Sequence, residues 1–208
     1  MRYIMSLVSC VVLIMVLPLS GYAAADDELA FEAEDFDEIL PPMQVGEDED
    51  ASGGKYIQSP SGRAGWAEYV IEIPDDADYY MWGMGQVKDG VTDSFFITFD
   101  LDDRGADDDL NENTWDMAVP IGMWGWGQVS GRGAGGNPRV FELTKGEHVL
   151  RVWTRENLAW LDCIYMSTDQ GATPILASEF DGRDRTSEPE AVTYMGKIAA
   201  TWGQLKGE

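Results

Sequence analysis

From residue 65 to residue 167 apolar and polar positions alternate along the chain with a period of two. In GWAEYVIEIP, 65–74, Tyr69, Ile71 and Ile73 alternate with Val70 and Glu72; in DSFFITFD, 93–100, Phe95, Ile97 and Phe99 alternate with Phe96 and Thr98. That period sends successive side chains to opposite faces of an extended strand. Shorter runs of the same kind follow in DYYMWGM, GWGQV, RVFELT, EHVLRVWT and AWLDCIYMS. Between them lie Pro-Asp-Asp, Lys-Asp-Gly, Asp-Asp-Arg-Gly and Thr-Lys-Gly-Glu, whose residues preset or tolerate the backbone angles of turns. No window between about 50 and 168 sustains a helical period. Many short strands at this spacing predict an all-β protein, an antiparallel β-sandwich.

Both ends of the chain differ from this middle. MRYIMSLVSCVVLIMVLPLSGYAAADDE places Arg2 before an apolar run to Leu17, then small Ala23 and Ala25 before acidic residues. This is the layout of a secretory signal peptide over 1–25, cut between Ala23 and Asp26. A membrane anchor is the rival reading, but Pro18, Ser20 and Gly21 interrupt the run, and Asp26, Asp27 and Glu28 replace a basic flank. Lipidation at Cys10 is discounted because most of the apolar run follows it. The expectation is a secreted protein, extracellular or at the cell surface, with no membrane insertion once the signal is removed. After Asp169 strand-like alternation stops and breakers multiply, so 169–208 is read as a partly disordered tail. Its last part, GKIAATWGQLKGE, could form a short helix or attach the protein to a cell surface. The sandwich itself is expected over 28–168.

Charge and cysteine content narrow the function. The chain carries 38 acidic and 14 basic residues, a net charge of −24. Such a surface repels phosphate backbones, which excludes nucleic acid as a partner. Solubility explains the charge plainly, and carboxylates holding Ca²⁺, a hard cation that takes several oxygens, explain it more sharply. Loss of the signal removes Cys10 and leaves Cys163, so no internal disulfide and no cysteine-based zinc site can form.

Residues able to do chemistry are few. His148 in GEHVL has no second imidazole beside it and no Gly-x-Ser-x-Gly turn, so it reads as a structural histidine at a strand edge. Cys163, inside a strand beside Leu161 and Ile164, reads as a buried, inert thiol. Paired carboxylates for glycoside hydrolysis are defined by separation in space, and among so many acidic residues a pair has no specificity. DLDDRGADDDLNE, 100–112, departs from a calcium loop where Arg104 and Asn111 fall at ligand positions, and a solvated acidic loop is the expected reading, with weak Ca²⁺ binding as the alternative.

Read together, FEAEDFDE (31–38), ASGGKYI (51–57), GWAEYVIEIP, DSFFITFD, MWGWGQV, FELTKGEHVLRVWTRE (141–156) and LDCIYMS (161–167) form an ordered pattern. It resembles carbohydrate-binding modules of the family 6 and family 35 type over about residues 30–168. The resemblance implies a galactose-binding-domain-like jelly roll and a non-catalytic module that binds a polysaccharide or glycan. It also implies a structural calcium held by Glu32 and Glu34 of the opening Glu-Ala-Glu and Asp162 of the closing strand. A cation there would neutralise carboxylates where first and last strands pair; the alternative is that Glu32 and Glu34 share one solvent face of an edge strand.

The resemblance places sugar binding on loops at one end of the sandwich, with an aromatic ring against a pyranose face. Trp124, between Gly122 and Gly125, is the first platform candidate, with Trp126 expected in the sandwich; Trp115, in the polar stretch NENTWD, is the second. For each tryptophan a place in the core is the alternative. Asp93, Arg155, Glu156 and Asn157 are candidates for hydroxyl contacts, although Arg155 and Glu156 could instead form an ion pair that fixes the last loop. Family 6 modules place an asparagine close before the final aspartate; here Asn157 comes early and Trp160 holds the nearer position. Two further classes stay open: a structural or adhesive cell-surface domain without sugar affinity, and a small β-sandwich hydrolase or lyase, which would need a cleft with two facing carboxylates or a positioned His148 or tyrosine.

Overall fold

The computed structural model describes residues 27–105, 112–132 and 137–180. The expected signal segment and the last part of the tail, including the proposed helix or attachment signal, lie outside them. The described residues form two antiparallel sheets, with short 3-10 turns and no α-helix. The strands are β1 (Glu28–Glu32), β2 (Glu38–Leu40), β3 (Gln44–Glu47), β4 (Lys55–Gln58), β5 (Trp66–Ile73), β6 (Ala77–Val87), β7 (Ser94–Phe99), β8 (Thr114–Asp116), β9 (Gly125–Gln128), β10 (Phe141–Leu143), β11 (Gly146–Thr154) and β12 (Ala159–Ser167).

One sheet runs β10-β6-β12-β4-β3, with β1 added on β12 and β9 on β6; the other runs β2-β5-β11-β7-β8. The predicted alternation decides which residues fill the space between them. Tyr69, Ile71 and Ile73 of β5, Leu150 and Val152 of β11, and Phe95 and Ile97 of β7 meet Ile57, Met81, Leu161, Ile164 and Met166 of the opposite sheet. Burial of this apolar surface, at about 25 cal/mol per Å², is the main stabilising term. β7 departs from strict alternation, since Phe96 on its other face is also fully buried and lies beneath the Arg104 guanidinium, 5.3 Å from the ring centre.

The first and last strands pair, as expected, with Glu28 opposite Ser167 and Glu32 opposite Cys163. Beyond 168 the chain continues along the sheet. Ala172, Ile175, Ala177 and Phe180 pack on Ala30, Trp82 and Tyr165, on the outer face of the seven-stranded sheet. These apolar residues have no strand-like period because they form a loop and a 3-10 turn, Ala177–Glu179. Trp126, expected inside the sandwich, packs on the same outer group, partly buried and with its ring edge-on to Tyr165.

Loops 41–43, 59–65, 88–93, 117–124 and 155–158 share one end of the sandwich, because each joins strands that finish or begin there. No helix among the described residues is long and apolar enough to cross a membrane.

Candidate functional site

Two clusters meet along β12. The first is acidic. Opposite β6, Leu161 faces Gly85 and Cys163 faces Met84, so Asp162 is the extra residue of a bulge. A bulge interrupts in-out alternation, and Leu161 and Ile164 can both enter the core while Asp162 joins Glu32 and Glu34. One carboxylate oxygen from each of the three lies within 4.8 Å of the others. The Ser52 amide donates to Asp162 Oδ2 at 2.9 Å, and the Ser52 hydroxyl donates to Glu32 Oε1 at 2.7 Å. Asp162 is fully buried, and Asp162 Oδ1, Glu32 Oε2 and Glu34 Oε2 are enclosed with no hydrogen-bond partner among the described residues.

Burial, reinforced by the neighbouring carboxylates Glu32 and Glu34, pushes Asp162 up to about 7. Burial likewise raises Glu32 and Glu34, against the opposing hydrogen bond from Ser52 to Glu32. Unpartnered buried carboxylates are costly. A donor set of oxygens alone fits a hard divalent cation such as Ca²⁺ and suits zinc poorly.

The second cluster is aromatic and begins two residues earlier, at Trp160. Because Leu161 faces the core, Trp160 points to the outer face, where its ring stacks on Tyr56 at 4.6 Å and 27°. Trp124 completes the group, 5.5 Å from Tyr56 and 6.1 Å from Trp160. Tyr56 is buried beneath, whereas Trp124 and Trp160 are each partly exposed. The loop before Trp124 turns at Gly122, whose φ of +70° is a conformation other residues rarely adopt. Beside Trp160 lies a cleft of about 210 Å³ lined by Gln86, Val87, Lys88, Gly122 and Leu158. The exposed apolar tips Ile121 and Met123 stand at the same end.

The remaining sequence-derived candidates divide. Trp115 is corrected: it is 0% exposed within the core, and its Nε1 donates to the Gln128 carbonyl at 3.2 Å. The polar neighbours that suggested a loop surround a short strand, β8, whose Trp115 faces the core. Arg155 is 6% exposed and donates to Ser94 Oγ at 2.8 Å and Glu156 Oε1 at 2.5 Å. Glu156 Oε2 in turn accepts from the Asp93 amide at 3.0 Å and the Ser94 hydroxyl at 2.6 Å. Arg155 and Glu156 form the ion pair that ties the last loop to Ser94 and Asp93. Asp93 is half-buried, its carboxyl raised by burial and by Glu156 and Asp116; Asn157 is exposed.

Sequence reasoning missed Tyr56 and Ser52, and gave Trp160 no role. Strand alternation in AWLDC carries a signal for Trp160, since it must oppose Leu161. No local pattern marks Tyr56, which enters through strand order.

A second cleft, about 240 Å³, lies on the other sheet between Trp66, Trp153, Arg63 and Arg104. Its polar groups are already engaged: Trp153 Nε1 donates to Thr98 Oγ1 at 2.8 Å, and Arg104 donates to the Arg63 carbonyl at 2.9 Å. His148 is similarly occupied, with Nδ1 2.6 Å from Asp100 and Nε2 2.7 Å from the Thr144 carbonyl.

Among solved structures, the chain is similar to a family 35 carbohydrate-binding module from Clostridium thermocellum, with 16% identity over 67% of this chain and 97% of that one, at a TM-score of 0.50. It is also similar to a family 6 module of Cellvibrio mixtus lichenase 5A solved with cellotriose, at 18% identity, 68% and 97% coverage and a TM-score of 0.48. A third is the C-terminal family 6 module of a marine laminarinase from Zobellia galactanivorans, at 13% identity, 68% and 99% coverage and a TM-score of 0.44. The fold is the β-sandwich of the family 35 carbohydrate-binding module. No family model and no curated protein matches the chain.

Proposed function

We propose that this protein is a secreted, non-catalytic carbohydrate-binding module, stabilised by calcium, that takes a polysaccharide or glycan on the Trp124–Trp160 pair. The observation that carries this reading is two partly exposed indoles, 6.1 Å apart and backed by buried Tyr56, beside a cleft at the loop end. Sugar rings present an apolar face to such surfaces, and Gln86 and Lys88 on the cleft wall supply donors for hydroxyls. Glu32, Glu34 and Asp162 would hold the cation two residues further along β12, bracing the strand that carries Trp160.

The engagement of His148 by Asp100 and Thr144, and the burial that raises the Cys163 thiol far above its ordinary value, support a non-catalytic role. Retention on a glycan array, with and without Ca²⁺, tests the function; retention lost in Trp124→Ala and Trp160→Ala is the expected result. The exposed tips Val91, Ile121 and Met123 favour a second reading, an adhesive surface domain that contacts protein. No retention on any glycan would transfer the assignment to it.

A further inference from the structure

Residues 172–180 do more than cover an apolar face. The 3-10 turn Ala177–Glu179 abuts β1, β12 and the Ser52–Gly54 turn. Those three elements also carry the acidic cluster: Glu32 ends β1, Asp162 is the bulge of β12, and Ser52 bonds both carboxylates. The Ala177 amide donates to Cys163 Sγ at 3.3 Å, one residue from Asp162. Sulfur is a weak acceptor, so this segment is held mainly by Ala172, Ile175, Ala177 and Phe180 on Ala30, Trp82 and Tyr165.

Building on the cation reading above, we propose that the cation bound by Glu32, Glu34 and Asp162 is the clasp that keeps the C-terminal segment 172–180 docked. Asp162, fully buried with an Oδ1 that has no hydrogen-bond partner among the described residues, is the group that ties the two together. With the cation present, the three carboxylates are drawn to one centre and the Ser52 turn and β12 bulge form a fixed seat. With the cation removed, the carboxylates repel within 4.8 Å, the seat spreads, and the segment lifts. Its release uncovers Trp82 and Tyr165, whose rings adjoin Trp126, and so enlarges the outer aromatic face. Cation concentration thereby sets how much aromatic surface the module presents.

The test is hydrogen exchange on the full chain in millimolar Ca²⁺ and in EDTA, with calorimetric titration of Ca²⁺ alongside. The expected result is that amides of 172–180 exchange about tenfold faster or more in EDTA, while those of β5 and β11 keep their protection. Linkage adds a second readout: Ile175→Asp, which loosens the segment from its apolar seat, must weaken Ca²⁺ binding by about fivefold or more. Calcium binding with unchanged exchange over 172–180, or with unaltered affinity in Ile175→Asp, overturns the clasp and leaves the cation site standing. Absence of any calcium binding overturns both.

Discussion

The hydroxyl end of the Tyr56 ring lies over the bare backbone of Gly46, its partner across β3 and β4, and the ring stacks on Trp160. A Cβ at residue 46 would stand 2.4 Å from the ring, closer than any real contact. Gly46→Ala must therefore push Tyr56 aside. The expected cost is about 1–3 kcal/mol of overpacking, together with weaker glycan retention as Trp160 loses its backing. Chemical denaturation and affinity electrophoresis on the same variant would check both effects; retention that survives the substitution would mean that Tyr56 does not support the platform.

The tryptophans should separate by role. Trp115→Ala removes a fully buried ring and is expected to cost about 3–5 kcal/mol. Trp124→Ala, at a partly exposed position, is expected to cost less than about 2 kcal/mol while abolishing retention on glycans. Thermal melts paired with glycan binding measure the split, and a large stability loss in Trp124→Ala would move that residue from platform to packing.

Calcium should raise the melting temperature of the wild-type protein and leave Asp162→Asn unmoved. In EDTA above about pH 7, where Asp162 is ionised, the variant should be the more stable of the two, because it removes a buried charge that has no counterion. Scanning calorimetry with and without the ion decides the point; identical wild-type melts in both conditions would eliminate the site.

The pH dependence follows from the same carboxyl. Asp162 titrates near its ordinary 3.8 when unfolded and at about 7 when folded. Between these values the folded state binds the extra proton, so stability without calcium should fall as pH rises from about 4 to about 7. Calcium replaces that proton, so its stabilising effect should grow over the same window. Melts in EDTA and in calcium across this range would show a widening gap, and a constant gap would refute the assignment to Asp162.

His148 contributes a second slope. Burial opposes its charged form, but the hydrogen bonds to Asp100 and the Thr144 carbonyl outweigh burial and raise its value above 6.5. The stability it supplies is complete below that ordinary value and is lost as pH rises through the raised folded one. His148→Gln should flatten this loss while leaving calcium binding untouched. An NMR titration of the imidazole that gives a value below 6.5 would contradict the prediction.

Alternation alone was enough for the sandwich and for the inward residues of β5 and β11, because a strand's period is a local property of the chain. The pairing of the first and last strands and the meeting of Glu32, Glu34 and Asp162 came from a resemblance spread over the whole chain, and the geometry of Asp162 depends on a bulge that no local pattern marks. The tertiary structure alone decided which tryptophans are exposed. Trp115, read among polar neighbours as a loop residue, is drawn inward as β8 pairs with β7, while Trp126 packs on the outer face against Tyr165. Tyr56 joins Trp160 and Trp124 only because β4, β12 and loop 117–124 are brought side by side. Sequence patterns record which face of its own strand a side chain takes; what covers that face depends on contacts between residues far apart in the chain.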